Sequence, residues 1–339
     1  MKVSVVILNW NGEEMLRKFL PSVVASVSQD IGEVCVADNA STDASCELVE
    51  KEFSSVRLIQ LDRNYGFAEG YNRALMQVDS EYVVLLNSDV EVSDGWLEPM
   101  ITYMDGHPEV AGCQPKLLSY RQRDHFEYAG ASGGFIDRYG YPFCRGRIFE
   151  EVEEDNGQYD EVLPVFWATG AALMVRLEVY RRVGGLDGRF FAHMEEIDLC
   201  WRLRSRGYTL VCLPCSKVYH VGGATLKKEN PRKTFLNFRN NLLMLYKNLP
   251  EHELASVMRI RTCLDYLAAL FFLLKADRKN AKAVIQARKE YHQMQPDFVA
   301  DRLENMRQTV VSVIPERFSF SILWQTKIKK KKHFSDLVH

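Results

Sequence analysis

The sequence predicts an α/β fold, a largely parallel sheet with helices on both faces. Two observations carry this: short apolar, β-branched runs alternate with stretches of helical periodicity, and the runs stop at or beside Asn or Asp. At 339 residues, 47% hydrophobic and 26% charged, the chain can bury a sizeable core and is expected to hold one large domain plus an appendage.

Val3, Val5, Val6, Ile7 and Leu8 form the first run, which breaks at Asn9, Trp10, Asn11 and Gly12, as a buried strand ending in a turn does. A signal peptide would need a longer apolar core and a small-residue cleavage site. Neither follows, so the N-terminus is expected to stay intracellular. Residues 13–26 set Met15, Leu16, Phe19, Leu20 and Val23 at helical spacing, with Pro21 expected to kink the helix. A second strand, 33–37, ends at Asp38 and Asn39, and a polar turn, 40–43, leads to a helix over 44–53. The pattern repeats with strands at 56–60 and 82–86 and a helix at 68–78. In such sheets ligands bind at the carboxyl ends of the strands, so Asn9, Asp38, Asn64, Asn87, Ser88 and Asp89 should line one edge.

Net charge is −2 and says little about partners, and no nucleic-acid motif is present. Eight scattered cysteines favour free thiols; Cys212 and Cys215 form a CxxC pair with no second pair to complete a zinc site. Charge is uneven, with an acidic stretch at 150–160 and a run of Lys327, Lys329, Lys330, Lys331 and Lys332.

The densest chemistry lies at 184–202. Glu195 and Glu196 follow an aromatic-rich turn, and Asp198 comes next, placed to pair with Arg202 on one helix face. Adjacent glutamates in a partly apolar cleft raise the pKa of one member, as a general base requires, although solvated charges at a helix N-terminus would read the same way. Of Phe166, Trp167, Phe190, Phe191 and Trp201, core packing accounts for most. Trp167, just before a turn at 168–171, is the one expected to stack on a bound ligand.

Several motifs, taken in order, resemble the family 2 glycosyltransferases, most closely the rhamnosyltransferase-like branch. They are the first strand through Asn9, Trp10 and Asn11; Asp38, Asn39, Ala40, Ser41, Thr42 and Asp43; Asn64, Tyr65, Gly66, Phe67 and Ala68 with Gly70 and Asn72; Leu86, Asn87, Ser88 and Asp89; Ala168, Thr169, Gly170 and Ala171; the 190–202 segment; and 219–225. The resemblance spans roughly residues 1–250. It implies a GT-A fold at 1–230, a Rossmann-like mixed sheet flanked by helices, with a nucleotide-sugar half at about 1–112 and an acceptor half at about 113–230, followed by a helical region with a basic tail at 231–339. Asp38 would bond the nucleobase, Asn9 and Asn11 would line the nucleoside, and Asn64, Gly66 and Asn72 would support ribose and phosphate. Asp89 would bind Mg2+ or Mn2+ with His220, and Gly222 and Gly223 would let backbone approach a phosphate. Asn87 stands where many relatives carry a further Asp. Glu196 takes the place of the family's catalytic Asp, with Glu195 before it, leaving open which is the base.

The implied activity is inverting transfer, by single displacement, from a nucleoside-diphosphate sugar such as dTDP-rhamnose or a UDP-sugar to a saccharide or lipid-linked saccharide acceptor in surface-polysaccharide synthesis. A nucleotidyltransferase would want a basic residue in the turn after strand one, which is absent; a binding protein without turnover remains the other alternative. Residues 114–159 look like an irregular acceptor loop. Beyond Pro231 the chain reads as helices: an amphipathic one to Pro250, and a second from about Glu253 with nine apolar residues, 266–274. Nine residues cannot span a bilayer, so this segment should dock on the catalytic domain or lie in an interface. The lysine run after Phe318, Phe320, Ile322, Leu323 and Trp324 suggests contact with anionic lipid, against a solvated tail. The expected location is cytoplasmic, with peripheral contact on the inner membrane face.

Overall fold

The structure is a computed structural model describing residues 1–222 and 230–337; Gly223, Ala224 and Thr225 of the last motif lie outside the described residues. The chain begins with β1 (Val3–Asn9), α1 (Glu13–Ser26), β2 (Gly32–Asp38), α2 (Ser45–Glu52), β3 (Arg57–Gln60), α3 (Gly66–Leu75) and β4 (Tyr82–Asn87). β1 lies between β2 and β4, and these pairs and β2–β3 are parallel. Because β1 is covered on both faces, Val3, Val5, Val6 and Ile7 are all buried, which explains an unbroken apolar run rather than alternation. Register sets Asn9 beside Asp38, and Leu8 beside Asn87, at one edge. α1 buries Leu16, Phe19, Leu20 and Val23 and carries Pro21 within it.

After β4 come β5 (Val90–Val92), α4 (Leu97–Gly106) and β6 (Val110–Ser119). Then follow β7 (Gly134–Ile136), β8 (Pro142–Cys144), β9 (Arg147–Ile148), β10 (Glu151–Val152), β11 (Leu163–Pro164), β12 (Ala172–Arg176), α5 (Leu177–Arg182), α6 (Glu195–Ser205) and β13 (Thr209–His220). The main sheet runs β11-β13-β6-β12-β4-β1-β2-β3. It is mixed, as the family resemblance implies, although strand–helix alternation alone reads as parallel: β12 is antiparallel to both β4 and β6. The chain enters β12 from a turn already at the carboxyl edge, without a crossover helix, so the strand must run back.

Residues 114–159 are not the irregular loop the sequence suggested. They begin inside β6 and continue into a small antiparallel sheet of β7 to β10. The acidic stretch has a structural use: fully buried Lys116 is paired with Asp155 at 2.8 Å and with Asp160. The cysteines are free, with Cys212 buried and Cys215 exposed.

The C-terminal region comprises α7 (Pro231–Asn248), α8 (Glu251–Leu274), α9 (Arg278–Met294) and α10 (Val299–Gln308). Asn230 caps α7 through the Arg232 amide, and Pro231 occupies the first turn, where its missing N–H costs nothing. Two sequence expectations are corrected here. Tyr266, Leu267, Leu270, Phe271, Leu273 and Leu274 are exposed, not docked on the catalytic domain. Phe318 lies against Phe135 and Phe143, and Ile322 and Phe334 are buried with them, so this apolar run completes the core under the small sheet. Among the described residues, no helix is long and apolar enough to cross a membrane.

Candidate active site

The carboxyl edge of the sheet gathers the first predicted residues. Asn9 Nδ2 donates to Asp38 Oδ1 at 3.1 Å and to Ser41 Oγ at 3.2 Å, and the Ser41 amide donates to Asp38 Oδ2 at 2.8 Å. Asn9 Oδ1 is buried with no hydrogen-bond partner among the described residues. A Cβ on Gly12 would come within 2.3 Å of that oxygen, so the turn needs glycine there. Asn11, at φ +50°, accepts from the Thr42 amide at 2.7 Å, tying the β1 turn to the loop after β2.

Asn64 Oδ1 accepts from the Gly66 amide at 2.8 Å and from Asn39 Nδ2 at 3.2 Å, closing the entry to α3. Gly66 sits at φ +77° against the ring of Phe191, where a side chain would collide. Asn72 stands further along α3 and is already engaged: its Nδ2 donates to the Leu186 carbonyl at 2.7 Å, and its Oδ1 accepts from Tyr180 Oη at 2.6 Å. The structure thus gives Asn72 the job of holding the loop after α5.

Asp89 and His220 meet because β5 pairs antiparallel with the end of β13, setting Val90 beside His220. His220 Nε2 lies 3.1 Å from Asp89 Oδ1 and 3.5 Å from Asn87 Nδ2. Its Nδ1 lies 3.3 Å from Glu127 Oε1, a buried carboxylate the sequence reading missed, set in a segment with no motif around it. Burial opposes charge on the imidazole, but Glu127 and Asp89 outweigh it and push its pKa up to about 10.

Glu195 and Glu196 open α6. Ahead of them, Phe191, His193 and Met194 all have positive φ, at +67°, +71° and +73°, a strained run without a glycine. Glu195 Oε2, Glu196 Oε2 and His193 Nε2 have no hydrogen-bond partner among the described residues. Burial pushes Glu196 up to about 6, against backbone N–H groups at the helix start that favour its charge. Glu195 is pushed well up by burial and by the charge of Glu196. Burial brings His193 down to about 4, helped by Lys233, so its imidazole is neutral.

Asp198 plays a different part. It accepts from Arg202 Nε at 2.9 Å, as the spacing predicts, and also from Lys247 Nζ at 2.9 Å and Asn248 Nδ2 at 2.8 Å of α7. These cations offset its burial and hold its pKa below the ordinary value.

A short turn joins the two halves of the site. The Asn87 amide donates to the Ala171 carbonyl at 3.0 Å, while a Cβ on Gly170 would lie 3.7 Å from Glu196 Cβ. Trp167, expected to stack on a sugar, is instead core: its Nε1 donates to the Phe135 carbonyl at 2.9 Å and Gly134 lies against its indole. Phe191 is the exposed aromatic beside this turn-and-helix region.

Among the described residues, no three His, Cys, Asp or Glu groups are spaced to cage a metal. Asp89 and His220 offer one carboxylate and one imidazole beside the Asn87 amide. That donor set suits an ion that completes its shell with diphosphate oxygens and water, as Mg2+ commonly does.

Comparison with known proteins agrees with this geometry. Residues 4–151 match the family described as Glycosyl transferase family 2. The N-acetylglucosaminyl-diphospho-decaprenol L-rhamnosyltransferase of Mycobacterium tuberculosis is 26% identical over 234 residues, 64% of this chain and 75% of that protein. The rhamnosyltransferase WbbL of Escherichia coli is 26% identical over 163 residues, 46% of this chain and 61% of that protein. Two solved structures share the fold. S. aureus TarS 1-349 in complex with UDP-GlcNAc has a TM-score of 0.58 at 16% identity, over 91% of this chain and 89% of that one. The mannosyltransferase PcManGT from Pyrobaculum calidifontis in complex with GDP-Man and Mn2+ has 0.54 at 15% identity, over 90% and 87%. The fold and the family match define a glycosyltransferase of the GT-A type. More narrowly, residues 4–151 match the family 2 glycosyltransferases, and the sequence is rhamnosyltransferase-like.

Proposed function

We propose that the protein is an inverting, metal-dependent glycosyltransferase that moves a sugar from a nucleoside-diphosphate sugar, dTDP-rhamnose or a UDP-sugar, to a saccharide or lipid-linked saccharide in surface-polysaccharide synthesis. One observation carries the reading: buried Glu195 and half-buried Glu196, each with a buried, unpartnered carboxylate oxygen among the described residues, are separated from the Asn87 and Asp89 edge by the turn at 169–171. A base on one side of the sugar and a diphosphate site on the other is the layout of a single displacement. The rhamnosyltransferase relatives, and the UDP-GlcNAc and GDP-Man complexes of the structural neighbours, support a nucleotide-sugar donor.

Glu196, ionised at neutral pH, takes the proton of the acceptor hydroxyl as that oxygen bonds to the anomeric carbon. The bond to the diphosphate breaks on the opposite face, so configuration inverts without a covalent intermediate. Glu195, biased towards its protonated form by burial and by the charge of Glu196, is placed to donate a hydrogen bond that orients the acceptor. Asp38 reads the nucleobase; Asn9 and Asn11 shape the nucleoside wall; Asn64 and Gly66 set the ribose and phosphate rim. A divalent cation held by Asp89 and His220, with Asn87 beside them, would neutralise charge growing on the leaving diphosphate. A ligating His220 would bind through Nε2 without its proton, with the buried Glu127 carboxylate 3.3 Å from Nδ1 on the other side of the ring.

Release of nucleoside diphosphate across a panel of nucleotide-sugars, with Mn2+ or Mg2+ and mixed polysaccharide acceptors, tests this. One donor should turn over; Glu196→Gln should lower its turnover by about 10²-fold or more, Glu195→Gln by less, and Asp89→Ala should remove the metal's effect. Calorimetric donor binding without any release would leave a binding protein. Neither binding nor release would remove the donor class.

A further inference from the structure

In the hairpin of α8 and α9, the second half of α8 turns charged residues inward and apolar ones outward. Arg261 and Asp265 of α8 face the protein: Arg288 of α9 donates to Asp265 Oδ2 at 2.6 Å and to Thr262 Oγ1 at 2.7 Å, while Arg261 reaches the Tyr139 carbonyl at 2.8 Å. The opposite side of α8 presents Leu267, Leu270, Phe271 and Leu274 to water, with Leu274 78% and Leu267 59% exposed. At 100° per residue the exposed positions from 266 to 274 cover an arc of about 160°, wider than the narrow seam of a two-helix coiled coil. Basic residues flank this end: Arg259, Lys275, Arg278, Lys279 and Lys282 are exposed. The acid among them, Asp277, caps α9 by accepting from the Asn280 amide at 3.1 Å.

We propose that this hairpin tip docks on an anionic lipid bilayer, lying in its interface with the leucines and Phe271 in the acyl boundary and the lysines and arginines at the headgroups. Charge decides the occupant. A second copy of the same tip would bring like charges together, with no exposed acid on the face to pair them, whereas an anionic surface complements every one. The stripe is too short to span, so contact is peripheral. This inference stands on the surface alone and does not require the proposed acceptor.

Flotation of the full chain with vesicles tests it. The protein should float with phosphatidylcholine vesicles containing phosphatidylglycerol, and at least tenfold less with phosphatidylcholine alone or in high salt. Leu270→Glu with Leu274→Glu, and separately Lys275→Glu with Lys279→Glu, should each cut flotation tenfold or more while leaving the thermal midpoint unchanged, since both pairs are exposed. Equal flotation by wild type and variants would overturn the proposal. So would a dimer in sedimentation velocity that the leucine variant dissociates, with no vesicle binding.

Discussion

At the head of α6 two glutamates share one dry site, and burial raises both pKa values, Glu195 the more because it also feels the charge of Glu196. The sign of the pH dependence follows. A base works ionised, so kcat/KM should rise with pH and reach half its plateau at about 6. Glu195→Gln should leave that limb in place, because burial and the charge of Glu196 bias Glu195 towards its protonated form. Glu196→Gln should abolish the limb with the activity; a limb persisting in residual turnover would place the base elsewhere. These glutamates, Asp89 and His220 were legible in the sequence because chemistry-bearing residues at strand ends or after a turn have few structural reasons to be there. Glu127 and His193 were not: the first matters only through its contact with His220, the second only through its burial, and neither is written locally.

The element that fixes the catalytic loop is α7, from outside the sheet. Asn240, fully buried, donates to the carbonyls of Phe190, Ala192 and His193 at 2.9, 2.9 and 2.8 Å, and Arg239 adds a bond to Phe190 at 3.2 Å. Three residues of this loop hold left-handed backbone angles, each costing on the order of 1–3 kcal/mol, so something must over-determine them. Asn240→Ala should therefore lower kcat about tenfold or more while donor KM holds, and destabilise the fold by about 1–3 kcal/mol. A change in stability alone, with kcat intact, would make Asn240 a structural residue only. The helical period of α7 is readable, but an amphipathic pattern by itself places polar residues towards water. Hydropathy cannot register that Arg239 and Asn240 face carbonyls turned out by a strained loop.

Across the molecule, the alternating first half was legible because its covered strands read as continuous apolar runs. The reversed β12 was not, since strand direction depends on the connection and not on the strand's composition. A boundary near residue 230 likewise follows from a change in texture that packing does not respect. Lys247 and Asn248 satisfy Asp198 inside the catalytic half, Arg189 donates to Asp301 of α10 at 2.9 Å, and Phe334 packs on Phe135 and Phe143. Cutting the chain at 230 would strip Asp198 of two of its partners, and unpairing a buried charge costs about 3–5 kcal/mol. It would also leave the apolar surface that covers Leu242, Leu243 and Leu245 open to water. With total stabilities of about 5–15 kcal/mol, that loss is enough to unfold the remainder. We expect calorimetry of the full chain to show one cooperative transition, and residues 1–230 alone to lack near-ultraviolet circular dichroism. Two separated transitions, or a folded 1–230 fragment that still releases nucleoside diphosphate, would show instead that the helices are an appendage and that α7 is dispensable to the loop it holds.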